Sequence, residues 1–219
     1  MSTIISVTGT AEVRHPAERG TVRVVVAIEG GDRRTVTDAA ARRHAEVVAG
    51  LRDLHDAEAG PVTWWSSDQV RVSAERPWNA DGKQLPLVYR SASALSVEFD
   101  DFTRLSEWVT DVVQVEGVGV AGIVWALTEQ RRDQLTERIQ DEAVRDAVAK
   151  AQRYAGSLGL GDVSPVAISD PGLLDGAVPL AEPVVHAARM MSAGGSPSVE
   201  LVPEEIVLSA TVHARFSAA

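Results

Sequence analysis

Ile5-Ser6-Val7-Thr8-Gly9-Thr10-Ala11-Glu12-Val13-Arg14 alternates apolar or small residues with polar ones. Period two with one polar face is the pattern of a half-buried strand. His15-Pro16 interrupts it, since proline removes a ladder donor. Residues 21–29 form a second strand, richer in valine (Val22, Val24, Val25, Val26), and Gly30-Gly31 ends it. Two strands at the start set the frame in which the rest of the chain is read.

The period then changes from two to 3.6. Val36, Ala40, Val47, Leu51 and Leu54 recur at helical spacing over 35–56, with His44 in the same stripe. Thr35 or Thr37 is expected to cap this helix, and Gly60-Pro61 stops it. A second strand pair covers 62–75 and 87–99. Trp64 and Trp65 must point to opposite faces of its first strand, which puts at least one in the core. Between the arms lies Pro77-Trp78-Asn79-Ala80-Asp81-Gly82, and Asp-Gly between strands is a hairpin turn signal. The long arms lead us to expect a hairpin that projects beyond the sheet.

Asp100-Asp101 opens a short helix over 102–113 with apolar Phe102, Leu105, Val109 and Val112, and acidic residues suit its positive end. Residues 117–127 read as a central, buried strand. Thr128 caps the longest helix, residues 129–158, roughly 45 Å at about 1.5 Å per residue. Its stripe is mostly alanine (Ala143, Ala147, Ala151), which lets a helix lie close to a sheet. Gly159 stops it. A short strand covers 163–169. Residues 171–203 then lose all periodicity and hold half of the ten prolines. A loop of that length is functional or disordered. The strictly alternating 206–216 closes the chain.

The expected fold is α+β: an antiparallel-rich sheet of strand pairs with three helices packed on it. Its order is strand-strand-helix-strand-strand-helix-strand-helix-strand-strand. No linker divides the pattern, so residues 1–219 read as a single domain with an irregular loop at 171–203. With 45% hydrophobic residues the chain can bury a substantial core.

Composition removes several functions. The chain has no cysteine, which excludes disulfides, thiolate metal sites and a cysteine nucleophile. A net charge of -10 argues against phosphate-tracking nucleic-acid binding and against docking on anionic lipid. No apolar run reaches the ~20 residues that cross a bilayer. Residues 1–11 carry neither a basic n-region nor an apolar h-region. We therefore expect a cytoplasmic protein without a membrane span.

The motifs with chemical potential weaken on inspection. Gly117-Val118-Gly119-Val120-Ala121-Gly122 matches a dinucleotide-binding string. That motif needs a strand before it and a helix opening at it. Here the order is reversed, and glycines that let a strand pack against a helix explain the string better. Asp53, His55, Asp56 and Glu58 do not share one helical face, so no metal site is expected. His44 has no nucleophile and orienting acid nearby in sequence, and reads as a partly buried helix residue. No cofactor is expected.

Several segments together resemble a known family: Val7-Thr8-Gly9-Thr10-Ala11-Glu12-Val13, Tyr89-Arg90-Ser91-Ala92, the strand from Gly117, and the run Ala143, Ala147, Lys150-Ala151, Tyr154-Ala155, Leu158-Gly159, Gly161-Asp162-Val163. With the closing strand, they are similar to the SIMPL-domain family, a domain of unknown function. The resemblance implies an α+β fold and no established enzymatic activity or catalytic residues. It also implies that animal members bind a receptor-associated kinase, and that bacterial members are often exported and some form large oligomers. Residues 1–11 lack the pattern of a signal peptide, so this chain is expected to depart from the exported members.

Two functional expectations follow. The first is a noncatalytic interaction or assembly protein that associates with itself as a homo-oligomer or with another protein. Its candidate surface is Trp78, Asp81, Arg76 and Lys83 at the hairpin tip, where an exposed aromatic can anchor an interface. The second is an enzyme or small-ligand carrier with an apolar pocket between the sheet and the 171–203 loop.

Overall fold

A computed structural model describes residues 2–78, 84–173 and 201–219. The elements are β1 (Thr3–Pro16), β2 (Arg19–Gly30), α1 (Arg33–Leu54), β3 (Val62–Ser67), β4 (Arg71–Glu75), β5 (Val88–Phe99), α2 (Phe102–Val112), β6 (Val118–Ala126), α3 (Glu129–Ser157), β7 (Ser164–Ser169) and β8 (Glu205–Ala218). The fold is α+β, the strand ladders are antiparallel, and the element order is the expected one. Within it, the expected strand 62–75 is two strands, β3 and β4. Both pair with β5, and residues 68–70 bulge between them.

The opening strands do not pair with each other. β1 lies in a three-stranded sheet of order β1-β8-β7, and β2 in a five-stranded sheet of order β3-β5-β2-β6, with β4 also on β5. The elements accordingly gather into two compact units.

In the first unit α3 packs on the β1-β8-β7 sheet. Ala143, Ala147, Ala151 and Ala155 are buried against Ile5, Val212, Ala214 and Phe216. A four-residue alanine step leaves a smooth groove along the helix, and Gly9 fills it from β1. A methyl group at Gly9 would stand 2.0 Å from the Ala143 carbonyl oxygen and 2.8 Å from Ala147 Cβ. Thr128 caps the helix by accepting the Arg131 N–H, and Gly159 beyond its end has φ +74°.

β1 is an outer strand, and an open strand edge invites pairing with another chain. α3 closes it here. Asp146 Oδ2 accepts the Thr10 N–H at 2.9 Å, and Lys150 Nζ donates to the Thr8 carbonyl at 3.0 Å and to Asp146 at 2.5 Å. The Lys150 ammonium first, and the Thr10 N–H second, hold the Asp146 carboxyl below the usual carboxylate range. A folded value below the unfolded one means a stabilising contribution that is complete above about pH 4 and lost as pH falls through the folded value. Asp146→Asn should therefore be less stable than wild type at pH 7. The two should converge in denaturant midpoint as pH drops below 4. A constant gap down to pH 2 would show that the charge is not what closes the edge.

In the second unit α1 and α2 cover one face of the five-stranded sheet. The core joins Val22, Val24 and Val26 of β2, Leu95, Val97 and Phe99 of β5, Val47 and Leu51 of α1, and Leu105, Trp108 and Val109 of α2. Phe99 meets Trp108 at 5.5 Å between ring centroids, and Phe102 meets Trp125 edge-on at 5.0 Å. Trp65 packs against this core while Trp64 is 49% exposed, the split that alternation requires. α1 is capped by Asp32, not by Thr35 or Thr37. Its carboxylate accepts both the N–H and the hydroxyl of Thr35. A carboxylate one turn ahead outcompetes a threonine already inside the first turn, and those bonds hold Asp32 below its ordinary pKa.

β6 is not the central, buried strand expected. Among the described residues it pairs with β2 alone, and it is half-buried. Val118, Val120, Ile123 and Trp125 pack on the core, and Gly119, Ala121 and Val124 face out. The segment reads as apolar because its outward positions are small or aliphatic instead of charged. Its glycines do not serve helix packing either, since a methyl group at Gly119 would meet nothing within 4 Å. Gly117 is the constrained one, with φ +78° and Ile28 Cδ1 2.4 Å from where its Cβ would lie.

Candidate functional site

The β4–β5 hairpin differs from the projecting one expected. β5 is not a free arm. Tyr89 to Phe99 pair along Gly30 to Gly20 of β2, inside the sheet. β4 is only five residues, and its last row is Glu75 with Val88. Projection is limited to what lies beyond that row. There the Arg76 guanidinium donates to the Leu85 carbonyl, which continues the stem after the ladder ends. Arg90 bridges Glu75 at 2.7 Å and Glu29 at 3.1 Å, tying β4, β5 and β2 together at the surface.

Of the four residues expected to form the contact surface, Arg76 is thus committed to the stem. Trp78 stands two residues further and is 87% exposed. Asp81 and Lys83 lie outside the described residues, as do the Asp-Gly turn and most of the 171–203 loop. Leu201, at the end of that loop, packs against the core of the second unit.

A second constellation was not legible in the sequence. His44 of α1 sits between two serines. Its Nε2 is 3.1 Å from Ser67 Oγ at the end of β3, and its Nδ1 is 3.3 Å from Ser93 Oγ on β5. The three are 23 and 49 residues apart in sequence, so no local pattern joins them. Ser67 shares the core-facing side of β3 with Trp65 but lies at the strand's exposed end, which lets it reach the imidazole. Two residues from Ser93 on the same face of β5, Ser91 is 1% exposed and its hydroxyl has no partner among the described residues. A polar strip of hydroxyls thus runs under α1 in an otherwise apolar core.

Other charged groups have local roles. Asp56 turns the chain after α1 by accepting the Glu58 and Ala59 N–H groups, which lower its pKa. No three metal-capable side chains converge among the described residues. A depression on the outer face of α3 is lined by Gln134, Glu137, Arg138, Asp141, Glu142 and Arg145, polar and charged throughout. No helix among the described residues is long and apolar enough to cross a membrane.

These features define an α+β protein of two antiparallel sheets, each with its own helical cover. The chain belongs to the SIMPL family, described as proteins of unknown function (DUF541), whose pattern it matches over residues 5–216. A comparison with curated proteins returned no match.

Proposed function

We propose that this protein works by binding other protein chains, first of all a second copy of itself, and that the segment after β4 carries the contact. The observation behind this reading is Trp78, a large apolar side chain 87% exposed just past the last paired row of a hairpin. Its own stem leaves it uncovered. Trp is over-represented among residues that dominate binding energy, and truncating such an anchor commonly costs about 2 kcal/mol or more. Asp81 and Lys83 belong to the same proposed surface, and the chain acts in it as a single domain in the cytoplasm. Arg76 supports the surface from inside the stem.

Sedimentation across a concentration series tests the idea. Wild type should associate, and Trp78→Ala should raise the dissociation constant roughly 30-fold at unchanged circular dichroism. A wild type that stays monomeric at high concentration ends the self-association reading. Association that ignores Trp78→Ala moves the contact away from this segment.

A further inference from the structure

We propose that Ser67 is an acyl-acceptor site, its hydroxyl activated by His44 toward activated esters. The geometry supplies two of the contacts such a site needs, a base for the nucleophile and a partner that orients the base. Ser67 Oγ lies 3.1 Å from His44 Nε2, within the reach of a general base. The other ring nitrogen, Nδ1, lies 3.3 Å from Ser93 Oγ. With Nδ1 as the donor to Ser93, Nε2 is left with its lone pair toward Ser67. The Ser67 hydroxyl has one other acceptor, the Asp68 carbonyl, at a longer 3.5 Å. Ser93 is buried and anchored on a strand in the middle of the sheet, so the ring is oriented from a rigid element. Ser67 is exposed, so a reagent reaches it. None of these residues belongs to the surface proposed above, and the two readings stand or fall separately.

The step is a simple acyl transfer. Ser67 Oγ attacks the acyl carbon, its proton passes to His44 Nε2, the new O–C bond forms, and the bond to the leaving phenolate breaks. The proton then leaves His44 for solvent. A hydroxyl at Ser93 orients the ring but does not neutralise the imidazolium as a carboxylate would. Losing the carboxylate's role in a serine triad costs about 10⁴ in rate. A phenolate leaves readily even from so weakly assisted an attack, whereas water attacking the serine ester has no such leaving group. The expected outcome is therefore one acyl group left on the protein, not multiple turnover.

p-Nitrophenyl acetate is the probe, with intact-mass and peptide-level mass spectrometry as the readout. We expect a single acetyl group on the peptide carrying Ser67, absent in Ser67→Ala. His44→Gln should slow its formation roughly 100-fold, the lower range for a lost general base. Acetylation confined to lysines or the α-amine, or equal labelling of Ser67 in His44→Gln, overturns the proposal. Nitrogen NMR of the His44 ring in wild type tests the same point without a variant. The neutral ring should carry its proton on Nδ1, and Ser93→Ala should mix the two tautomers. A wild-type ring protonated on Nε2 overturns the proposal, because that nitrogen then has no lone pair for the Ser67 proton.

Discussion

Gly9→Val is expected to unfold the unit built from β1, β7, β8 and α3, or to lower its stability by about 3 kcal/mol, the upper range for overpacking. The added Cβ alone would come within 2.0 Å of the Ala143 carbonyl oxygen, a backbone atom of a 29-residue helix. Relief requires α3 to lift from β1. That would separate Asp146 and Lys150 from Thr10 and Thr8 and reopen the strand edge they close. Gly156→Ala on the same helix is the control. A methyl group there meets nothing within 4 Å, and alanine favours a helix over glycine by up to about 1 kcal/mol. Denaturant midpoints and amide exchange of β1 and α3 would read the difference. If Gly9→Val were as stable as Gly156→Ala, the close approach of helix and strand would be refuted.

The second large effect is expected from Phe99→Ala. Phe99 is fully buried at the end of β5 and holds the Trp108 ring against the sheet. Removing a buried phenylalanine costs about 3–5 kcal/mol, since neighbours seldom collapse into the space. The second unit, with its β4–β5 hairpin and the His44 cluster, should be the part that loosens. The five tryptophans all lie in that unit, so Trp fluorescence should report unfolding at lower denaturant than amide protection in α3. A loss under 1 kcal/mol would mean that α2 repacks without its aromatic partner.

The helices were legible because their signals are local. Thr128 caps α3 as read, Asp101 of the acidic pair Asp100-Asp101 caps α2, and the alanine stripe of α3 does bring it close to β1. The cap of α1 shows the limit. Asp32 and Thr35 both suit a helix start, and only the competition between their side chains decided for Asp32. The Trp64-Trp65 pair was read correctly from alternation alone, because strand geometry permits no other split.

The residues of the two proposed sites were less accessible. Trp78 was found because an aromatic beside turn residues is locally conspicuous. The His44 cluster was not, since Ser67 and Ser93 carry no signal until β3 and β5 pair and α1 lies across them.

By itself, then, the sequence determined element types, their order, their inward faces and the α+β class. Each of these rests on periodicity and capping within a few residues. The tertiary structure alone decided that β1 joins β8 and not β2, that β6 is an outer strand, and that two serines flank His44. Every strand offers the same backbone N–H and C=O groups to any neighbour, so pairing is chosen by which side chains can be buried together. For β1 that choice was made by residues from the far end of the chain, Val212, Ala214 and Phe216 of β8, which share its alanine-lined helix.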